Sequence, residues 1–203
     1  MNRNIKIENV YCIGRNFIEH AKELNNEIPP KPLIFQKPNS SINTDNTIEI
    51  PRGENIDHEV EIVLLVGKTG IPKNPQEAKG FISGFSLGLD LTKRKLQTEL
   101  KAKGLPWFPA KSFKGSAVLD DNFKNECPNE FHLIVNQEKR QTGRVKDMIF
   151  SFEDIILHLS KVVSLKRGDI IFTGTPEGAG PLKRGDQIEM GFINHTPKEC
   201  VVI

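Results

Sequence analysis

The stretch Glu59-Val60-Glu61-Ile62-Val63-Leu64-Leu65-Val66-Gly67 places the tightest limit on how this chain can fold. A run of branched aliphatic residues closed by glycine reads as a β-strand buried on both faces. Side chains alternate along a strand, so Glu59 and Glu61 project to one face, about 6.6 Å apart. Two ionised, unpaired carboxylates beside apolar neighbours would cost on the order of several kcal/mol. Either one acid is protonated, or neighbouring cations are supplied, or a metal ion sits between them. A hard divalent cation is the most economical of these answers. It needs more oxygen, and Asp90, closing the second apolar stretch Phe85-Ser86-Leu87-Gly88-Leu89, is the obvious third ligand. The bland alternative is a solvated face of an edge strand paired with lysines.

At 203 residues the chain can bury one substantial core, and no Pro/Gly/Ser-rich linker divides it, so residues 1–203 are expected to form a single domain. With 28 basic and 26 acidic residues the net charge is +2, which announces no general attraction to nucleic acid or anionic lipid. No apolar run approaches the roughly 20 residues of a membrane span, and the first residues lack the apolar core of a signal peptide. The three cysteines, Cys12, Cys127 and Cys200, are odd in number and far apart, as suits a reducing compartment. The expected location is cytoplasmic.

Strand-like segments recur near 10–14, 33–37, 47–50, 60–67, 81–90, 131–136, 169–174, 186–193 and 199–203. Helical patterns are fewer. One starts at Ser151, where Ser151 and Asp154 form a capping-box pattern ahead of Ile155, Ile156, Leu159, Val162 and Val163. Another follows Thr92 as its cap and stops at Gly104; a short third spans about Phe17 to Leu24. Strands dominate without regular alternation with helices, so the fold class is α+β, predominantly β and irregular, rather than a doubly wound sheet. Two Lys-Arg-Gly-Asp segments, 166–169 and 183–186, read as similar turns ahead of strands. Gly67-Lys68-Thr69 looks like the end of a phosphate-binding loop, but Ile62 stands where that loop requires glycine. The Gly-rich segment Gly174-Thr175-Pro176-Glu177-Gly178-Ala179-Gly180 is either a tight turn or a place where backbone N–H groups and the Thr175 hydroxyl meet an anionic ligand.

Three further patterns are unusual for a structural protein. His20 and Glu23 stand three apart on the short helix opened by Gly14-Arg15-Asn16, a spacing that permits a carboxylate-oriented histidine base. Arg94 and Gln97 share a polar helix face after Asp90, and Pro106-Trp107 precedes Ala110-Lys111-Ser112-Phe113. His58 alternates away from the acids, and Trp107 reads as core.

In this order and spacing, these segments resemble the fumarylacetoacetate hydrolase family, in its small acylpyruvate hydrolase and oxaloacetate decarboxylase branch. The match includes Phe35-Gln36-Lys37-Pro38, Gly88-Leu89-Asp90-Leu91-Thr92, Lys103-Gly104-Leu105-Pro106-Trp107 and Gly168-Asp169-Ile170-Ile171, and spans nearly the whole chain. The resemblance implies a mixed β-roll with a few short helices, assembled as a homodimer. It implies Mg2+ or Mn2+ on Glu59, Glu61 and Asp90, with Lys111 beside the metal and His20 and Glu23 on a lid that closes over substrate. Arg15, Arg94, Gln97 and Thr175 are the residues expected to bind a 2-oxo acid. The implied activity is metal-dependent C–C bond cleavage: hydrolysis of an acylpyruvate, with His20 activating water, or decarboxylation of oxaloacetate. The alternatives are an isomerase, decarboxylase or hydratase of muconate-like dienoic diacids, and a non-enzymatic module holding structural Ca2+. Phe17 replaces a common Tyr, and Gln36 replaces a frequent Leu with a possible change in pocket polarity.

Overall fold

The computed structural model describes residues 6–23 and 27–203. In chain order the strands are β1 (Val10–Gly14), β2 (Leu33–Lys37), β3 (Ile42–Asn43), β4 (Thr47–Ile48), β5 (Ile56–His58), β6 (Val60–Val66), β7 (Ile82–Asp90), β8 (Thr92–Lys93), β9 (Ala117–Leu119), β10 (Glu130–Val135), β11 (Glu138–Arg144), β12 (Ile170–Phe172), β13 (Gly180–Pro181), β14 (Gln187–Phe192) and β15 (Lys198–Val202). The helices are α1 (Ile18–Glu23), α2 (Pro75–Lys79), α3 (Arg94–Ala102), α4 (Phe108–Lys111) and α5 (Phe152–Ser160). The sequence pattern placed α1 as far as Leu24, which lies outside the described residues.

Seven strands form one sheet in the order β2-β1-β12-β6-β7-β9-β3, five form another in the order β11-β10-β14-β15-β4, and a small third runs β13-β5-β8. This is the predominantly β arrangement expected, with helices on the connections. The run that opened the sequence analysis is β6, in the middle of the large sheet, and every one of its residues is buried. Val60, Ile62, Leu64 and Val66 join the main core, whereas Val63 and Leu65 face a second apolar cluster with Val10, Cys12, Ala117, Leu119, Ile170 and Phe172. Glu61 belongs to that second face by alternation. Opposite it in the β6–β7 ladder stands Gly88, where a Cβ would come within 2.6 Å of the Val118 carbonyl and would collide with the Phe172 ring. The glycine lets Phe172 close the floor beneath the acids.

The capping box of α5 is present: Ser151 Oγ accepts from Asp154 N at 3.1 Å, and Asp154 Oδ2 accepts from Ser151 N at 3.1 Å. The cap expected at Thr92 is not. Thr92 lies in β8 and Lys93 is the N-cap of α3, without a side-chain hydrogen bond, because the Thr92 hydroxyl is drawn inward to Asp90 and Lys111. The two Lys-Arg-Gly-Asp segments form the same turn. Asp169 and Asp186 each accept from the backbone N–H three residues earlier, at 2.8 and 2.7 Å, and each takes an asparagine amide, Asn9 or Asn136, on the other oxygen.

Candidate active site

The connection from β5 to β6 and the end of β7 bring three acids together. One carboxylate oxygen from each of Glu59, Glu61 and Asp90 lies within 4.8 Å of the others, and all three residues are buried. Oxygen ligands stand about 2.0–2.6 Å from a hard divalent cation, so this spread suits a single ion. Asp90 Oδ1 has Lys37 Nζ at 2.7 Å, yet off the hydrogen-bonding direction, so this buried oxygen retains acceptor capacity. Glu61 pairs with no cation among the described residues; its one bond comes from the Gly174 N–H at 2.7 Å.

The surrounding cations divide the acids. Lys111, on the four-residue helix α4, donates to Glu59 Oε2 at 2.7 Å, Asp90 Oδ2 at 2.7 Å and the Thr92 hydroxyl at 2.6 Å, which uses all three of its protons. Arg94, at the start of α3, bonds Asp57 at 2.9 Å, Gln97 at 2.8 Å and the second Glu59 oxygen. Burial pushes the Glu59 carboxyl up, but Lys111 and Arg94 outweigh it and hold the group far below the ordinary carboxylate range. Glu61 moves the other way, raised by burial and then by the negative charges of Asp90 and Glu59. Burial also disfavours the Lys111 and Arg94 charges, yet the acids raise both pKa values. Two carboxylates on one strand face are thus one ionised and paired, the other left in a field of like charge.

One cavity of about 40 Å3 is lined by Glu59, Glu61, Asp90, Lys111, Arg94, Gln97, Arg15, His20 and Thr175, together with Lys101, Trp107, Phe35 and others. Of the residues expected to hold metal or substrate or to act in catalysis, Glu23 alone stands behind the lining, where its Oε2 holds His20 Nδ1 at 3.0 Å. That bond assigns the proton to Nδ1 and leaves Nε2 as an acceptor. The other Glu23 oxygen accepts from the Gly178 N–H at 3.2 Å.

Backbone N–H groups of the Gly-rich loop do meet anions, but the anions are the protein's own Glu61 and Glu23. The Thr175 hydroxyl donates to the Val60 carbonyl at 2.8 Å and accepts from Gln141 Nε2 at 2.8 Å, so its proton is spent within the protein. His58 points away from the acids, as alternation requires, with Nδ1 3.1 Å from Gln141 Oε1. Trp107 is half-buried against the cavity rather than core, and Gln36 is exposed and outside it.

Four contributors escaped the sequence reading. Lys37 is fully buried beneath Asp90, and its signal was a lysine two residues after Phe35 in a strand. Lys101 continues the Arg94–Gln97 face at helical spacing. Asp57 and Gln141 carried no signal, because their partners come from distant segments.

Comparison with known proteins places these residues in context. The family model for the fumarylacetoacetate (FAA) hydrolase C-terminal domain matches residues 9–202. A relative from Arabidopsis thaliana named oxaloacetate tautomerase FAHD1, mitochondrial, is 42% identical over 190 residues, covering 90% of this chain and 85% of that protein. The mitochondrial oxaloacetate decarboxylase of Dictyostelium discoideum is 38% identical over 191 residues, covering 90% and 88%. Among solved structures, fumarylpyruvate hydrolase from Pseudomonas aeruginosa, in complex with Mn2+ and pyruvate, superposes with a TM-score of 0.93 at 28% identity, covering 100% of this chain and 92% of that one.

Proposed function

The chain belongs to the fumarylacetoacetate hydrolase family, and we propose that it is a divalent-metal-dependent enzyme of small 2-oxo acids, with oxaloacetate as its foremost substrate. The observation that carries this reading is the convergence of Glu59, Glu61 and Asp90 in the same cavity as a carboxylate-oriented histidine. Glu59, Glu61 and Asp90 would hold Mg2+ or Mn2+, and Lys111 offsets the surplus of three acids over a +2 ion. When bound, such an ion polarises a carbonyl and stabilises the negative charge that develops on its oxygen. A structural Ca2+ site fits these residues less well, because it fills six to eight positions with oxygen, whereas here Lys111 and Arg94 stand on the same carboxylates.

The chain's own groups then divide the work. Gln97 orients the carboxylate beside the keto group, Arg15 meets the substrate from the other wall of the cavity, and Lys111 stays between Glu59 and Asp90. In decarboxylation the bond between carbons 3 and 4 breaks, CO2 leaves and its electron pair stays on carbon 3. In tautomerisation His20 Nε2 takes the proton from carbon 3, the oxygen on carbon 2 gains one to complete the enol, and Glu23 holds the ring and steadies its charge in between. Each reaction passes through an enolate, that of pyruvate after loss of CO2 and that of oxaloacetate in tautomerisation, which agrees with relatives named for each. A cavity of about 40 Å3 is small for a dicarboxylic acid, and α1, which carries His20 and Glu23, acts as a lid that parts to admit substrate.

A second reading, hydrolysis of an acylpyruvate, is favoured by the His20–Glu23 pair itself, which decarboxylation does not require. His20 takes a proton from the water that attacks the distal carbonyl, the C–C bond breaks, and pyruvate and a carboxylic acid result. A compartment that keeps thiols reduced suits the three free cysteines.

The test is a panel: chelator-stripped protein offered oxaloacetate, acetylpyruvate and fumarylpyruvate, each with and without Mg2+ or Mn2+. Metal-stimulated consumption of oxaloacetate is expected. No metal-stimulated turnover of any of the three would overturn the reading.

A further inference from the structure

The cations around the cavity are not used alike. Lys111 and Arg94 are paired with Glu59, Asp90 and Asp57. Arg15 and Lys101 line the same cavity, and among the described residues neither has a carboxylate partner. Arg15 Nε is buried without any hydrogen-bond partner. An unmet buried donor costs about 1–3 kcal/mol, which a ligand would recover. Arg15 is also held at φ 58, the left-handed region that costs a residue with a Cβ roughly 1–2 kcal/mol. Backbone strain of this kind collects where a side chain must be aimed.

Lys101 stands four residues after Gln97 and seven after Arg94, on the same face of α3. Its Nζ lies 5.1 Å from the centroid of the Trp107 ring, which fixes the stem at the cavity wall. Burial, and then the like charges of Arg15, Arg94 and Lys111, bring its pKa down to about 8. Cations have been gathered here without the anion that would reconcile them.

We propose that Arg15 and Lys101 form a second anion subsite, which takes the distal carboxylate of a dicarboxylic 2-oxo acid and so sets the preference of the enzyme for diacids. This rests on the reading of the cavity as a 2-oxo acid site, in which the carboxylate next to the keto group lies toward Glu59, Glu61 and Asp90. Once that first carboxylate is placed, the anion left for Arg15 and Lys101 is the second. Oxaloacetate and fumarylpyruvate, named for the relatives above, are both dicarboxylates.

Lys101→Met keeps the stem against Trp107 and removes only the charge. The quantity to measure is the ratio of kcat/KM for fumarylpyruvate to that for acetylpyruvate, two acylpyruvates distinguished by the terminal carboxylate. Where either is not turned over, its competitive inhibition constant against oxaloacetate turnover serves instead. The ratio is expected to fall about 10- to 100-fold, the worth of one charge-assisted hydrogen bond, with Lys101→Arg restoring most of it. A ratio within about threefold of wild type, in a Lys101→Met protein that melts normally, would overturn the subsite while leaving the 2-oxo acid reading standing. Wild-type protein that consumes none of these acids with metal would overturn both.

Discussion

The floor of the cavity and its lid are built to different standards of rigidity. The floor acids stand at the ends of β6 and β7, joined by a ladder that runs from Val60 opposite Leu89 to Leu65 opposite Gly84, with Phe172 packed beneath. The proposed lid is α1, six residues long among the described residues, with Ile18 41% exposed. An isolated helix below about 12–15 residues is marginal, so α1 depends on its contacts. These include Phe17, just before it, packed edge-on against Phe131 at 6.4 Å, the buried Ala21, and the Gly178 N–H donated to Glu23. The geometry a cation would read is therefore placed in the middle of a sheet, and the proposed proton-transfer group on a short helix with few anchors. The Gly-rich loop touches both, through Gly174 on Glu61 and Gly178 on Glu23.

The largest effect should come from the floor. Asp90→Asn and Glu61→Gln are each expected to weaken Mn2+ binding by about 100-fold or more and to abolish metal-dependent turnover. The two should part in metal-free stability. Asp90 is the counter-charge of buried Lys37 and Lys111, and breaking such a pair costs about 3–5 kcal/mol. Glu61 has no such partner and suffers the charges of Asp90 and Glu59, so Glu61→Gln should melt at or above the wild-type temperature. Calorimetric Mn2+ titration and thermal melts separate these outcomes. Wild-type affinity in Asp90→Asn would remove the floor from the metal site.

The lid should answer differently. Glu23→Ala is expected to lower kcat by about 10- to 100-fold, the range of general acid–base assistance, with Mn2+ affinity within about threefold of wild type. A fall in metal affinity as large as that in the floor variants would mean that lid and floor are one unit.

Much of this contrast was legible in the sequence. The period of a strand put Glu59 and Glu61 on one face and His58 on the other, and helical spacing joined His20 to Glu23. Nine strand segments were visible in alternation and composition, but β3, β5, β8, β9 and β13 are two or three residues long and exist because a partner is present. β11, Glu-Lys-Arg-Gln-Thr-Gly-Arg, is an edge strand with only Gln141 and Gly143 buried, so its charge disguised it. With β11 went Gln141, whose amide accepts from Val60 N and donates to Thr175 and Pro176, fastening the second sheet to the site. Thr92 was misplaced as a cap for a related reason. A hydroxyl beside a helix start is a good cap until a buried lysine claims it.

The acids of the floor also set a pH dependence. Glu61 has a folded pKa above its unfolded value of about 4.3, so the native state keeps a proton the unfolded chain has lost. The stability this contributes is complete at low pH and is lost as pH rises through the folded pKa. Glu59, depressed, contributes the reverse, present above about 4.3 and lost on acidification. Metal-free protein should lose stability as pH rises through the Glu61 transition, a slope that Glu61→Gln removes. Mn2+ binding below that transition should release close to one proton, measured by calorimetry in buffers of different ionisation enthalpy. Binding that releases no proton at any pH would show that Glu61 is already ionised beside its neighbours.

The smallest effect is expected at Thr175, which decides whether the loop between the two regions belongs to the floor or to the substrate. Its hydroxyl gives its proton to Val60 O and receives one from Gln141, both at 2.8 Å, so it acts on the structure rather than on a ligand. Serine can make the same two bonds, and Thr175→Ser should stay within about threefold of wild type in kcat/KM, losing only the roughly 1 kcal/mol of a buried methyl. Thr175→Val cannot, and strands a buried amide proton and a carbonyl, so it should cost about 1–3 kcal/mol of stability. If Thr175→Ser instead loses tenfold or more in kcat/KM at unchanged stability, the hydroxyl turns toward substrate during turnover, and the loop moves with the lid.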